Sequence, residues 1–203
     1  MRRTKEEAAI TREQLLEAAL PIFREKGYGA TTLDDIARKA GTTRGAIYWH
    51  FGGKAELFNT MVREQYNRSV ADFITIFKMD SAPVEKLRTL LVKMISYPEE
   101  DSDYRTMLEL VSWKTEAFPE LAEGIQEKVQ GTREFIKHIA ALIQRGIDAG
   151  EIRVSPAPEV VATAAVSLIY GITSTWLLDQ SAFSLKAYAE EAVDIFIRGI
   201  TPS

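Results

Sequence analysis

Thr43, Arg44, Tyr48 and His50 stand within eight consecutive residues, with Lys54 just beyond. Arginine carries a planar fork of donors that can engage both acceptors on the major-groove edge of guanine. Threonine can cap a helix and touch a phosphate or a thymine methyl. Tyrosine and histidine can donate to phosphate oxygens. A lysine at a helix start adds its charge to the free amides there, and both attract phosphate. Tyr48-Trp49-His50 has a second explanation, aromatic packing that ties its helix to its neighbours. Trp49 suits that role as well as it suits a contact to DNA.

Two short helices joined by a tight turn containing glycine would hold these groups in place. The first is expected from Thr32 to Ala40, with Thr32 and Asp35 spaced as a capping box. Gly41-Thr42 forms the turn, because glycine takes the left-handed conformation that ends a helix. The second runs from Thr43 to Phe51 and is broken by Gly52-Gly53. Ile36 and Ala37 would face Ala46 and Ile47, and the small Ala40 and Ala46 let the helices approach. In this arrangement the second helix enters the major groove. The surface expected to meet DNA comprises Thr32, Thr42, Thr43, Arg44, Gly45, Tyr48, Trp49, His50 and Lys54. Charge is distributed accordingly. Residues 1–54 hold ten Lys and Arg against seven Asp and Glu, a net +3, while the whole chain of 203 residues carries −4.

Other chemistries find little support. The absence of cysteine excludes disulfides, thiolate zinc sites and a cysteine nucleophile. His50 and His138 are far apart and lack metal-ligand spacing. There is no glycine-rich phosphate loop and no nucleophile elbow. No enzyme activity, metal or cofactor is expected.

Apolar residues recur at three and four throughout, which predicts an all-α chain of about nine helices. The first begins by Thr11, capped with Gln14, or earlier; it bends at Pro21 and ends at Gly27. The fourth runs from Lys54 to about Met79, with a stripe of Phe58, Val62, Tyr66, Val70, Phe73 and Phe77. Pro83 opens the fifth, Tyr97-Pro98 closes it, and residues 99–103 form an acidic loop into the sixth. Pro119 opens the seventh, Pro156 and Pro158 precede the eighth, and Ser184 caps the ninth. The expected organisation is a helix-turn-helix domain over residues 1–53 and a ligand-binding and dimerisation domain over 54–203. The N-terminus has no apolar stretch of the kind a signal peptide needs. The uncharged stretch between Glu159 and Asp179 approaches the length of a membrane span. Its many hydroxyl groups favour a buried helix, so a cytoplasmic protein without membrane contact is expected.

Residues from about Thr11 to Phe58 resemble the DNA-binding head of the TetR/AcrR family of repressors. The segments that carry the resemblance are Gly27-Tyr28, Thr31 to Ala37, Ala40-Gly41, Thr43 to Phe51, and Lys54 with Glu56-Leu57-Phe58. Thr42 stands where valine is usual, and Gly52-Gly53 replaces a polar or basic pair. Glu109 to Glu116, Trp176-Leu177-Leu178 and Phe183 to Lys186 are similar to the multidrug-efflux regulators of that family. The resemblance implies a homodimer that binds a palindromic operator in double-stranded DNA and is released by a small, often aromatic effector.

The residues give reasons for both parts of that expectation. One helix-turn-helix offers too few contacts, and a two-fold dimer reads two half-sites. Residues 160–178 are uncharged all round and need cover on both faces. Leu168, Ile172, Trp176, Val193 and Phe196 are the expected dimer residues. Phe73, Phe77, Met107, Leu110, Trp113, Glu116 and Tyr170 are the expected effector-binding residues, with Glu109 and His138 as further polar candidates. Plain core packing explains each of the large side chains equally well. The competing readings are a ligand-insensitive or activating regulator of the same fold, and a relative that no longer binds DNA.

Overall fold

Each apolar run becomes a helix. A computed structural model describes residues 5–113, 118–153 and 157–202, with Trp113 by its backbone alone. The described residues form α1 (Lys5–Ala30), α2 (Leu33–Lys39), α3 (Arg44–Phe51), α4 (Lys54–Phe77), α5 (Pro83–Glu100), α6 (Ser102–Trp113), a 3-10 turn (Pro119–Leu121), α7 (Ala122–Asp148), α8 (Pro158–Leu178) and α9 (Leu185–Ile200), with no strand among them. The all-α expectation holds.

Several boundaries differ from those expected. Thr11 lies inside α1, where its hydroxyl donates to the Glu7 carbonyl at 2.9 Å instead of capping a helix start. The break in α1 falls at Gly27 (φ 71, ψ 169), while Pro21 is carried within the helix. Pro98 does not close α5, which continues to Glu100. It sits in the last turn, so its missing amide removes one hydrogen bond near the end of the ladder. Glu99 is therefore helical, and its carboxylate accepts from the Ser184 hydroxyl at 3.0 Å and the Lys186 amide at 2.7 Å, capping α9.

The chain forms two compact units. One comprises residues 1–68 and 103–124. Its core gathers Leu15 and Phe23 of α1, Ile36 of α2, Ile47 and Phe51 of α3, and Leu57, Phe58 and Met61 of α4. Leu110 and Leu121 complete that core, with Phe118 packed against it. The unit that carries the helix-turn-helix thus extends well past residue 53. Burial of a Leu or Phe side chain contributes about 1.5–3 kcal/mol, so the later residues are a substantial part of what holds it together.

The other unit comprises residues 69–102 and 125–203. Here α5 packs against α8 and α9. Arg88 of α5 pairs with Asp194 of α9 at 2.9 Å. The Val84 amide donates to Glu151 at 3.0 Å, and the Arg153 amide to the Ile200 carbonyl at 2.9 Å. An 18-residue stretch of the 21-residue α8 has a mean hydropathy of 1.6, long and apolar enough to cross a membrane by composition. One of its faces is buried through Val161, Ala165, Ile169 and Trp176. The opposite face exposes Val160, Ala164, Ser167, Gly171, Ser174 and Leu178.

That phase corrects two of the expected dimer residues. Trp176 and Val193 are buried inside the protomer, at 3% and 0% exposure, with Leu168, Ile172 and Phe196 half-buried. A helix that is uncharged all round gives no sequence signal for which side faces its own core. The large apolar side chains left outside on α9 are Tyr188 and Ile195, beside the exposed Glu191 and Arg198.

Candidate nucleic-acid interface

The local sequence dictates the geometry of α2 and α3 almost residue by residue. The Thr32 hydroxyl accepts from the Asp35 amide and the Asp35 carboxylate accepts from the Thr32 amide, both at 3.2 Å. This reciprocal pair satisfies two donors at the start of α2. Gly41 adopts φ 64, which lets its own amide reach the Arg38 carbonyl at 3.3 Å and the Thr42 amide reach Ala37 at 2.9 Å. These crossed bonds close α2 and reverse the chain within two residues. The Thr43 hydroxyl then accepts from the Ala46 amide at 3.2 Å and starts α3, which ends at Gly52 (φ 74).

Ile47 and Phe51 of α3 are buried in the core, one helical turn apart. Arg44, Gly45, Tyr48 and Trp49 consequently share the opposite face and are exposed, with His50 half-buried at its edge. Trp49 is 73% exposed, with its ring edge-on to that of the neighbouring His50 at 4.4 Å between centroids. The packing explanation for Trp49 is thereby excluded. Thr43 is exposed and Thr42 half-buried in the turn. The exposed Thr32 hydroxyl donates to Asp35 at 2.7 Å, so its proton is already engaged.

Arg44 is held by two neighbours. Its Nη2 donates to the Tyr48 hydroxyl at 3.1 Å, and its Nη1 lies 3.7 Å from the Asp34 carboxylate. Asp35 pairs with Lys26 at 2.9 Å, and the hydrogen bonds from Lys26 and Thr32 hold its carboxyl down at about 2. The capping role of Asp35 is the one expected from the sequence, whereas its pair with Lys26 and that of Asp34 with Arg44 are not, although the consecutive aspartates at a helix start are a visible signal.

Lys54 has different partners from those expected. Its ammonium donates to the carbonyls of Tyr28 (2.9 Å), Thr31 (3.1 Å) and Gly29 (3.4 Å), and stands 4.4 Å above the Tyr28 ring. It ties the start of α4 to the end of α1. Beneath it, Tyr28, Phe23, Phe58 and Phe118 form a stacked and edge-on aromatic cluster with centroids 4.9–5.9 Å apart. The Tyr28 hydroxyl is buried near Glu120, and burial first, then the charge and hydrogen bonding of that carboxylate, pushes its pKa up to about 12.

The expected effector residues divide between the two units. Leu110 belongs to the core beneath the helix-turn-helix, so it is packing there. Met107 borders a cleft of about 670 Å³ whose walls include Arg12, Leu16, Arg24, Glu64 and Arg68. Arg12 and Glu64 bond across it at 2.6 Å. In the second unit Phe73 is buried edge-on to Tyr97 at 5.3 Å, and Phe77 is half-buried. The Tyr97 hydroxyl lies 3.1 Å from Asp72 and 3.4 Å from Asp101, and burial first, then these carboxylates, raises it to about 12. Tyr170 is exposed, its hydroxyl 3.2 Å from that of Thr132. His138 is exposed and Glu109 half-buried. Glu116 and the Trp113 side chain lie outside the described residues.

Comparison with known proteins agrees with this geometry. Residues 15–61 match the family of bacterial regulatory proteins of the tetR type, and residues 82–201 match the C-terminal region of MAATS-type transcriptional repressors. The transcriptional regulator AcrR of Shigella flexneri is 30% identical over 200 residues, covering 97% of this chain and 92% of that one. The regulator TtgR of Pseudomonas putida is 32% identical over 197 residues, covering 96% and 93%. NalD, a repressor of a multidrug efflux pump in Pseudomonas aeruginosa, superposes with a TM-score of 0.84 at 30% identity, covering 98% of this chain and 100% of that chain. SmeT, the repressor of an efflux pump in Stenotrophomonas maltophilia, has been solved with triclosan and superposes with a TM-score of 0.78 at 26% identity, covering 95% and 92%. A recognition helix with an outward cationic and aromatic face and family matches over most of the chain give one answer: the protein belongs to the TetR family of bacterial transcriptional regulators, as a DNA-binding repressor.

Proposed function

We propose that the protein is a homodimer that reads a palindromic operator through α3 and leaves it when a small apolar or aromatic effector binds. The outward face of α3 carries this reading. Arg44, Gly45, Tyr48 and Trp49 combine a base-reading fork, a position with no side chain, a phosphate donor and a large aromatic surface. A Cβ at Gly45 would meet nothing closer than 3.7 Å in the protein itself. The missing side chain is therefore not demanded by packing, and close approach of a duplex accounts for it. The surface that reads DNA lies within residues 1–53, and the parts that sense the effector and dimerise lie within 54–203. The uncharged outward face of α8, with Val160 and Leu178, and the exposed Tyr188 and Ile195 of α9 supply an apolar surface suited to a second copy. Such a protein works in the cytoplasm, where its operator lies.

NalD and SmeT are repressors of efflux pumps, which supports an effector of drug-like chemistry here. Phe73 and Phe77 are our candidates for its apolar contacts. An effector can release DNA only to the extent that it prefers one conformation of the protein over another. The test is a duplex carrying the inverted repeat nearest the protein's own gene, titrated with and without a panel of planar aromatic compounds. Footprint protection that disappears on adding a compound supports the reading. Protection that no compound disturbs at saturation removes the effector from it, and no protection at all removes the operator.

A further inference from the structure

We propose that Asp34 is a specificity-determining residue: it positions the Arg44 guanidinium for base reading and penalises binding to unrelated DNA. The proposal rests on Arg44 being the base reader. Arg44 has a long, flexible stem on an exposed helix face, and a free guanidinium would bind any phosphate as readily as a guanine. Here it is restrained from two sides. Asp34 lies 3.7 Å from Nη1, Tyr48 accepts from Nη2 at 3.1 Å, and the guanidinium stands 5.5 Å from the centre of the Tyr48 ring. Each terminal nitrogen carries two hydrogens, so these contacts leave a two-pronged donor edge for guanine O6 and N7. Restraint before binding lowers the ordering cost on the duplex.

The carboxylate takes no part in the capping box at this helix start. The neighbouring Asp35 makes the capping box and the Lys26 pair. The Asp34 side chain is 63% exposed, beside the one outward arginine of α3. A negative charge there repels every phosphate backbone, whatever the sequence. The penalty is offset only where Arg44 gains a guanine, so it acts on the ratio of specific to unspecific binding. An exposed pair of this kind is worth up to about fivefold in an equilibrium constant, which is weak enough for DNA to remodel it.

The full-length protein should be selected against a duplex library with a randomised core, and its affinity measured for a scrambled duplex. The wild type is expected to enrich a guanine that Arg44→Ala no longer enriches. Asp34→Asn should keep that guanine with about fivefold less preference and bind the scrambled duplex about threefold more tightly. Asp34→Glu, which keeps the charge, should restore both. A helix-start role alone would move neither readout. Wild-type preference and wild-type scrambled-duplex affinity in Asp34→Asn would overturn the proposal while leaving Arg44 as reader. An unchanged preference in Arg44→Ala would overturn the reader itself, and the proposal with it.

Discussion

Lys54→Met separates two roles for the same ammonium. The substitution keeps the length and apolar stem and removes the charge. Two hydrogen bonds, to Tyr28 at 2.9 Å and Thr31 at 3.1 Å, are lost, with a longer one to Gly29. Bonds from charged donors are worth about 1.5–3 kcal/mol when buried, and these are only partly buried, so about 1 kcal/mol each is appropriate. The contact with the Tyr28 ring adds about 0.5–1 kcal/mol. The expected loss is about 2–3 kcal/mol, which for a chain of this size lowers the melting temperature by roughly 4–12 °C. The measurement is thermal unfolding by circular dichroism at fixed protein concentration, since dimerisation makes the midpoint concentration-dependent. The salt dependence of operator binding should be recorded alongside. A phosphate contact would lower its log–log slope by about one on mutation. A carbonyl clasp leaves the slope unchanged. A wild-type melting temperature combined with a reduced slope would refute the clasp and restore Lys54 to the DNA surface.

Trp49→Ala should weaken operator binding while changing stability by no more than about 0.5 kcal/mol, because the ring is exposed; a loss of several kcal/mol in urea unfolding would contradict that. Leu121→Ala, remote in sequence from the helix-turn-helix, should destabilise its unit by about 2–5 kcal/mol, read from the urea midpoint at constant slope. Ile195→Asp should shift sedimentation toward monomer with the fold intact, whereas Val193→Asp, a charge forced into the protomer core, should unfold the chain; the reverse pattern would invert the assignment of α9 faces. Tyr28 and Tyr97 both have pKa values raised to about 12, so the folded state favours their protonated forms. Their contribution is complete below pH 10 and is lost as pH rises through about 12. Phenolate absorbance from these two should emerge with the loss of helicity, and ionisation of all seven tyrosines near pH 10 in an intact fold would disprove it.

The helix-turn-helix was legible because its determinants are local. Thr32 and Asp35, Gly41, and Thr43 each act within a few residues of their own position. What the sequence concealed is long-range. Nothing near Lys54 indicates that three carbonyls from residues 28–31 converge on it. Trp49 was ambiguous because an aromatic side chain suits a core as well as a groove, and only the rotation of α3 decides. The phase of α8 was hidden for the opposite reason, since a helix without charges has no polar stripe to read, and Trp176 turned inward. Leu110 has the spacing of any core leucine, which does not say which of two cores it joins.

That last ambiguity bears on how the reading head works. The surface that reads DNA is confined to α2 and α3, but the core that holds α3 in place is not. Ile36 and Ile47 share a cluster with Leu57 and Met61 of α4 and with Leu110 and Leu121 from much later in the chain. Phe118 is seated so closely that a Cβ at Gly29 would come within 3.0 Å of its ring, and its centroid is 4.9 Å from that of Tyr28. The carbonyls of Tyr28 and Gly29 are two of the three that Lys54 grips, and Lys54 begins α4 two residues after the glycine that ends α3. Close-packed interiors transmit displacement rather than absorb it. A shift of residues 118–121 would therefore press on Tyr28 and Gly29, and through Lys54 on the joint that sets the angle of α3. The head is linked to the rest of the chain by α4 and also by the segment that closes its core, and a cut after residue 53 would sever both.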